Sequence, residues 1–218
     1  LTVDDMAFFD TALTADEVSY YYTHALTGRA CPEAVINAWT FDQLDSSGYG
    51  VDSVVGNLNV TTNTGNTYGI SLVTTGQKFG AGAVQSIDGC WLKPAGTVDY
   101  STDQGTYLLW VKFNAAPNAW DGVLLTHIKS SLKSEAMSIQ INGSASNYSA
   151  FVNNIPGSGA INLSNAIISD GNWHLLALTF DRAANAVNFY VDGVLAGSKG
   201  YYTGASETIS STGSFAVA

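Results

Sequence analysis

The sequence predicts an all-β, two-sheet antiparallel sandwich with one short helix near residues 14–24. Three observations carry this. Short apolar and β-branched runs recur along most of the chain, separated by Gly, Asn, Asp and Ser turn signals. The length, 218 residues, suits a single all-β unit. One segment alone carries the signals of a helix start.

Taken in order, Val3-Asp-Asp-Met-Ala-Phe-Phe9 reads as a strand with Val3, Met6 and one of Phe8 or Phe9 for burial. Leu13-Thr-Ala-Asp-Glu-Val18 then begins the helix. Thr14 is placed as N-cap and Glu17 at N3, completing a capping box, while Leu13 and Val18 hold the staple positions. Asp16 and Glu17 suit the positive end of the helix dipole. The helix is expected to run to about His24 and stop near Gly28. Further strands are expected at Ile36–Asp42, Val54–Val60, Tyr68–Val73, Ala83–Asp88, Thr106–Phe113, Gly122–Ile128, Met137–Ile141 and Tyr148–Val152. Trp173–Phe180 and Ala186–Val191 follow as two more. Asp192-Gly193 is a two-residue hairpin signal suited to a type I′ turn, and Val194–Ala196 returns from it.

Composition excludes several function classes. The net charge is −10, with eight Lys and Arg in the whole chain, so a nucleic-acid partner lacks its basic footprint. An anionic membrane surface is disfavoured for the same reason, and no apolar run is long enough for a spanning helix. The chain opens without Met or a signal peptide, so it is expected to begin at a processed or cut end. Charged residues make up 12%, so Ser, Thr, Asn and Gly must supply the polar surface, as in many extracellular β proteins. Cys31 and Cys90 allow one disulfide, with two buried thiols as the alternative. Sequons at Asn59, Asn142, Asn147 and Asn162 are candidate glycosylation sites.

Several segments resemble the laminin G-like (concanavalin A-like) family. Ala38-Trp-Thr-Phe-Asp42 with Asp52-Ser53 is similar to its opening strand and loop. Phe79-Gly-Ala-Gly-Ala-Val-Gln-Ser-Ile-Asp-Gly89 is similar to its Gly-rich turn and following strand. Tyr107-Leu-Leu-Trp-Val-Lys112 resembles the central core strand, and Gly171–Phe180 through Asp192-Gly193 is the best match. The resemblance implies a jelly-roll sandwich and an extracellular or cell-surface location.

One feature departs from the family order. The family closes on a strand with paired acidic residues, an Ala-Leu turn and a short helix with Glu. Here Val3–Phe9, Thr11-Ala-Leu13 and Ala15–Val18 carry that pattern at the start. Residues 1–28 are therefore expected to act as a closing element for a sandwich body at 29–218. The slot filled is that of the chain's own body, of the next unit in a tandem array, or of a neighbouring copy by β-strand donation. Val3, Met6, Phe8, Phe9, Leu13 and Val18 are the candidate docking residues. Head-to-tail donation that does not close builds a filament.

No catalytic constellation appears. The four Glu (17, 33, 135 and 207) lie in no alternating acidic strand motif. Asp4 and Asp5 are adjacent, so in a regular strand they would face opposite ways and could not act as an acid/base pair. His174, beside Trp173 at a strand start, is expected to be satisfied structurally, not to be a ligand or base. The resemblance implies a structural Ca²⁺, for which Asp4, Asp5, Asp42 and Asp88 are the candidate ligands. Trp120, in Pro117-Asn-Ala-Trp-Asp121, and Tyr201-Tyr202 are candidate sugar-stacking aromatics on loops. The sequence thus points to a non-catalytic structural or adhesive subunit of an extracellular fibre or repeat-containing surface protein, partnered by copies of itself. The alternative is a self-closed carbohydrate-binding module.

Overall fold

A computed structural model describes residues 2–26, 35–44, 50–52, 60–62, 70–86, 92–94, 102–113, 122–128, 137–141, 148–152, 161–163, 170–200 and 214–216. In chain order the elements are β1 (Thr2–Phe9), α1 (Ala15–Thr23), β2 (Val35–Leu44), β3 (Gly50–Asp52), β4 (Val60–Thr62), β5 (Ile70–Val73), β6 (Ala83–Ser86), β7 (Leu92–Pro94) and β8 (Gln104–Lys112). There follow β9 (Gly122–Ile128), β10 (Met137–Ile141), β11 (Tyr148–Val152), β12 (Ile161–Leu163), β13 (Trp173–Asp181), β14 (Ala186–Val191), β15 (Val194–Lys199) and β16 (Ser214–Ala216). The fold is the expected all-β sandwich with one short helix. The three-residue strands β7 and β12 were not foreseen, because segments this short carry too little periodicity to read. β3 was not foreseen either; of the strand expected over Val54–Val60 only Val60, which opens β4, is described, and residues 53–59 lie outside the described residues.

Among the described residues the strands form two antiparallel sheets. The larger runs β15-β14-β13-β8-β1-β2-β3-β4-β7, with β5 and β6 joined to it through β1; the smaller runs β12-β11-β10-β9-β16. The sheets approach at both margins, β7 against β16 and β15 against β12. A sandwich margin covered in this way leaves fewer free strand groups to pair with other chains.

β1 lies at the centre of the larger sheet. On one side it pairs with β8 along its whole length, Thr2 opposite Lys112 through Phe9 opposite Thr106. On the other side it changes partner. Thr2 and Val3 pair with β6, and Met6 through Phe9 pair with β2. All eight residues of the strand are buried. The expectation of burial for only one of Phe8 and Phe9 is corrected, since both are inside. The reason is that both faces of β1 are covered. Ala7 and Phe9 pack with Leu13, Val18, Tyr21 and Leu26 in the cluster beneath α1. Phe8 meets Tyr107 with ring centroids 4.7 Å apart. A short helix needs such tertiary cover to persist, and so does the sheet face beneath it.

The start of α1 is built as its sequence indicates. Thr14 Oγ1 accepts from Glu17 N (3.3 Å), while Glu17 Oε2 accepts from Thr14 N (2.8 Å). Leu13 and Val18 are both buried. Thr14→Ala is expected to lower stability by about 1 kcal/mol, read as a shift of the urea midpoint at unchanged slope. At the far end His24 is the C-cap in extended conformation. The helix is seated on the β14–β15 hairpin. Asp192 (φ 53°) and Gly193 (φ 78°) both have the positive φ of a type I′ turn. A Cβ at Gly193 would stand 3.0 Å from Ser19 Cα and 3.2 Å from Tyr22 Cβ, so glycine lets the turn and the helix touch.

Candidate functional site

The point where β1 changes partner is also where it bulges. Its register against β8 shifts between Asp4 and Met6, and Asp5 sits at φ 40°. Asp tolerates the left-handed region better than most residues, because its short side chain can bond locally. The bulge corrects the expectation that Asp4 and Asp5 follow strict alternation. Both are buried, and the charge of Asp4 reaches Asp5 strongly enough to oppose its ionisation.

Each carboxylate takes up backbone N–H groups from a distant segment. Asp4 Oδ2 accepts from Lys78 N (2.8 Å) and Phe79 N (3.0 Å), and its Oδ1 accepts from Asp5 N (2.9 Å). Asp5 Oδ2 accepts from Leu26 N at 2.8 Å, fixing the chain just after α1. Asp42 Oδ1 accepts from Gly82 N (3.2 Å) and from Ala81 N. Gly80, at φ 59°, lies against the Asp42 carboxylate with no room for a Cβ. Trp173 Nε1 donates to Gly76 O at 2.9 Å. Residues 76–82 are thus held at three points by β1, β2 and β13. Over them Lys78 Nζ stands 4.1 Å from the Trp110 ring centroid, and Phe79 meets Trp110 edge-on at 5.7 Å.

Burial pushes the Asp4 carboxyl up to about 6, against the opposing pull of the Phe79, Lys78 and Asp5 N–H groups, and the charge of Asp42 adds to the rise. Burial likewise pushes Asp5 up to about 7. The Leu26 N–H opposes this, and the charges of Asp4 and Asp42 add to it.

The expected calcium fits this arrangement poorly. Both oxygens of Asp4 already accept N–H groups, and a calcium ion needs six to eight oxygens turned inward. Among the described residues, no group of three or more His, Cys, Asp or Glu side chains could hold a metal ion. Asp88 lies outside the described residues.

A second polar node lies at the start of β13. His174 Nδ1 is 2.7 Å from Asp192 Oδ2, and Nε2 is 3.0 Å from Asp170 Oδ1. Asp192 Oδ1 also accepts from Leu175 N at 2.9 Å. The bond to Asp192 raises the imidazole above its ordinary value; burial opposes the rise, and Asp170 adds to it. The bonds from His174 and then Asn172 hold the exposed Asp170 carboxyl well below the usual range. The expectation of a structurally satisfied histidine agrees with these bonds.

Of the docking residues, Val3, Met6, Phe8, Phe9, Leu13 and Val18 are all buried against the chain's own body. Trp120, Tyr201, Tyr202, Cys31, Cys90, Asn59, Asn142 and Asn147 lie outside the described residues. Asn162 falls in β12. Sequence reasoning missed the partners Lys78, Phe79 and Leu26, which are far along the chain from the aspartates they meet. It also missed Asp170 and Asp192 as the partners of His174. Their signals were local, since Asp-Gly-Asn and Asp-Gly are turn sequences, and Asp170 Oδ1 accepts from Asn172 N two residues on.

A family whose model is described as the "Concanavalin A-like lectin/glucanases superfamily" matches residues 85–217. No curated protein matches the chain by sequence. Among solved structures, the chain is similar to mouse laminin alpha1 chain domains LG4-5 at 11% identity and TM-score 0.41, covering 99% of this chain and 76% of that one. It is similar to the binding domain of botulinum neurotoxin serotype G at 16% identity and TM-score 0.44, covering 78% of this chain and 41% of that one. It is also similar to an endo-beta-1,3-glucanase from Pyrococcus furiosus at 13% identity and TM-score 0.35, covering 78% and 65%.

Proposed function

We propose, from the premise that this chain belongs to the concanavalin A-like lectin/glucanases superfamily, that it is a non-catalytic structural or adhesive module of an extracellular assembly. In this reading residues 2–26 are its closing element. One observation supports this above the rest: a strand and helix at the start of the sequence form the centre of the larger sheet and its outer cover. An element that docks through a complete strand can dock equally on a second copy of the same body, with the same contacts made between chains. Copies joined in this way run head to tail.

The test is complementation. A chain lacking residues 1–26 is mixed with the peptide 1–26, and the intact chain is imaged by electron microscopy and sized by light scattering over a range of concentrations. Uptake of the peptide with recovery of a cooperative melt, together with filaments from the intact chain, supports exchange between copies. An intact chain that stays monomeric throughout would exclude the fibre.

Self-closure, the arrangement in this structure, favours the second reading, a carbohydrate-binding module. Trp120, Tyr201 and Tyr202 are its sugar-stacking candidates. A glycan array with Trp120→Ala as control checks it, and signal lost in the variant supports it.

A structural calcium ion at Asp4, Asp5 and Asp42 is a separate proposal. The mutual repulsion of these carboxylates supports it, and the engagement of all three with backbone N–H groups opposes it. Melting at pH 7.5 with calcium and with chelator decides between them. A midpoint raised by several degrees in calcium supports the ion. An unchanged midpoint leaves the carboxylates as anchors of residues 76–82 and Leu26.

A further inference from the structure

We propose that His174 is a protonated staple that ties the start of β13 to the β14–β15 hairpin, so that alkaline deprotonation loosens the seat of α1. The inference rests on the closing-element reading above and adds a means of regulating it.

The geometry carries it. Each ring nitrogen of His174 faces a carboxylate oxygen, Nδ1 to Asp192 at 2.7 Å and Nε2 to Asp170 at 3.0 Å. A carboxylate only accepts, and a neutral imidazole has one N–H, so only the imidazolium satisfies both partners. The node then carries two negative charges and one positive. Loss of the proton leaves a lone pair facing one carboxylate and two carboxylates flanking an uncharged ring. The Asp170 contact is the longer and more exposed of the two, so it opens first. Asp192 then loses its counter-charge and keeps one neutral hydrogen bond from the ring.

Asp192 matters because of where it stands. It opens the hairpin turn, its carboxylate holds Leu175 N, and its own N–H donates to Leu175 O at 2.9 Å. The next residue, Gly193, is in contact with Ser19 and Tyr22 of α1. The turn is therefore the floor on which the closing helix rests. The charged groups that act on the ring are Asp192 and Asp170. From β8, apolar Val111 lies directly opposite His174, and Lys112 lies opposite Trp173.

The sign follows from the folded state holding the proton more tightly than the unfolded one. The staple is complete below about pH 6.5 and is lost as pH rises through the higher folded-state value. Two measurements on the full chain test this. The first is an NMR titration of the imidazole signals, with His174 assigned by His174→Gln. The second is hydrogen exchange of residues 15–23 and 190–195 at pH 6 and pH 9.5, corrected for intrinsic rates.

The expected result is a His174 midpoint raised above the ordinary imidazole value and lowered in Asp170→Asn. Protection of both segments should fall about tenfold more at the higher pH in the wild type than in His174→Gln, which keeps only the part of the fall due to Asp4 and Asp5. A midpoint at or below about 6.5, or a fall in protection as large in His174→Gln as in the wild type, overturns the staple. Residues 15–23 unprotected at both pH values would overturn the closing-element reading and the inference with it.

Discussion

Trp110→Ala is expected to cost about 3–5 kcal/mol and to detach α1 and residues 76–82 from the sheet. Trp110 is fully buried in β8, with Leu175 of β13 on one side and Asp4 of β1 on the other. Tyr22 of α1 stacks on it at 5.6 Å, with planes 18° apart, while Phe79 and Lys78 cover it from residues 76–82. Truncation therefore removes a large buried surface and three ring or cation contacts together. The cavity left behind cannot collapse easily, because the surrounding backbone is held by β13, β8 and β1. Urea unfolding measures the loss, and hydrogen exchange over residues 15–23 measures the release of the helix. A loss under about 1 kcal/mol, or a helix as well protected as in the wild type, would contradict this role for Trp110.

The elements that were legible in the sequence are those made by neighbours along the chain. The capping box needs only Thr14 and Glu17, and the hairpin needs only Asp192 and Gly193, so each was read with its geometry. The long strands β8, β13 and β14 were read close to their bounds, because burial imprints a run of apolar residues on them, and β9 was read at its bounds. The bulge at Asp5 was not legible. It arises because β1 leaves β6 for β2 at that residue, and nothing in Val3-Asp-Asp-Met6 names either partner. The burial of both Phe8 and Phe9 was missed for a related reason. Alternation assumes one wet face, and here α1, folded back from just beyond the strand, removes it. The acidic site was half legible. Asp4, Asp5 and Asp42 were singled out as a group, but as cation ligands. Their actual partners are backbone N–H groups of residues 78, 79, 26, 81 and 82, which carry no side-chain signature.

That difference sets the protein's response to acid. Asp4 and Asp5 hold their protons to about pH 6 and about pH 7 in the fold, against an ordinary value of 3.8. Between pH 4 and pH 7 the folded chain thus binds more protons than the unfolded chain, and stability falls as pH rises through that window. His174, also raised, acts in the same direction at its upper end. Asp170 acts in the opposite direction, but only below its ordinary range, since its folded value is lowered. The melting temperature is accordingly expected to rise by about 5 °C or more from pH 8 to pH 5, and to fall again under stronger acid. Asp5→Asn isolates the larger contribution. Asparagine tolerates the positive φ of the bulge, and its carbonyl can still accept from Leu26 N, while the buried charge beside Asp4 and Asp42 is gone. The variant should be more stable than the wild type by about 2 kcal/mol at pH 8 and no more stable at pH 4, with a flatter profile between. Thermal melts of both proteins across that range provide the check. A wild type that loses stability from pH 8 to pH 5, or a variant destabilised at pH 8, would show that the charge at Asp5 is compensated in solution, as a bound cation would do.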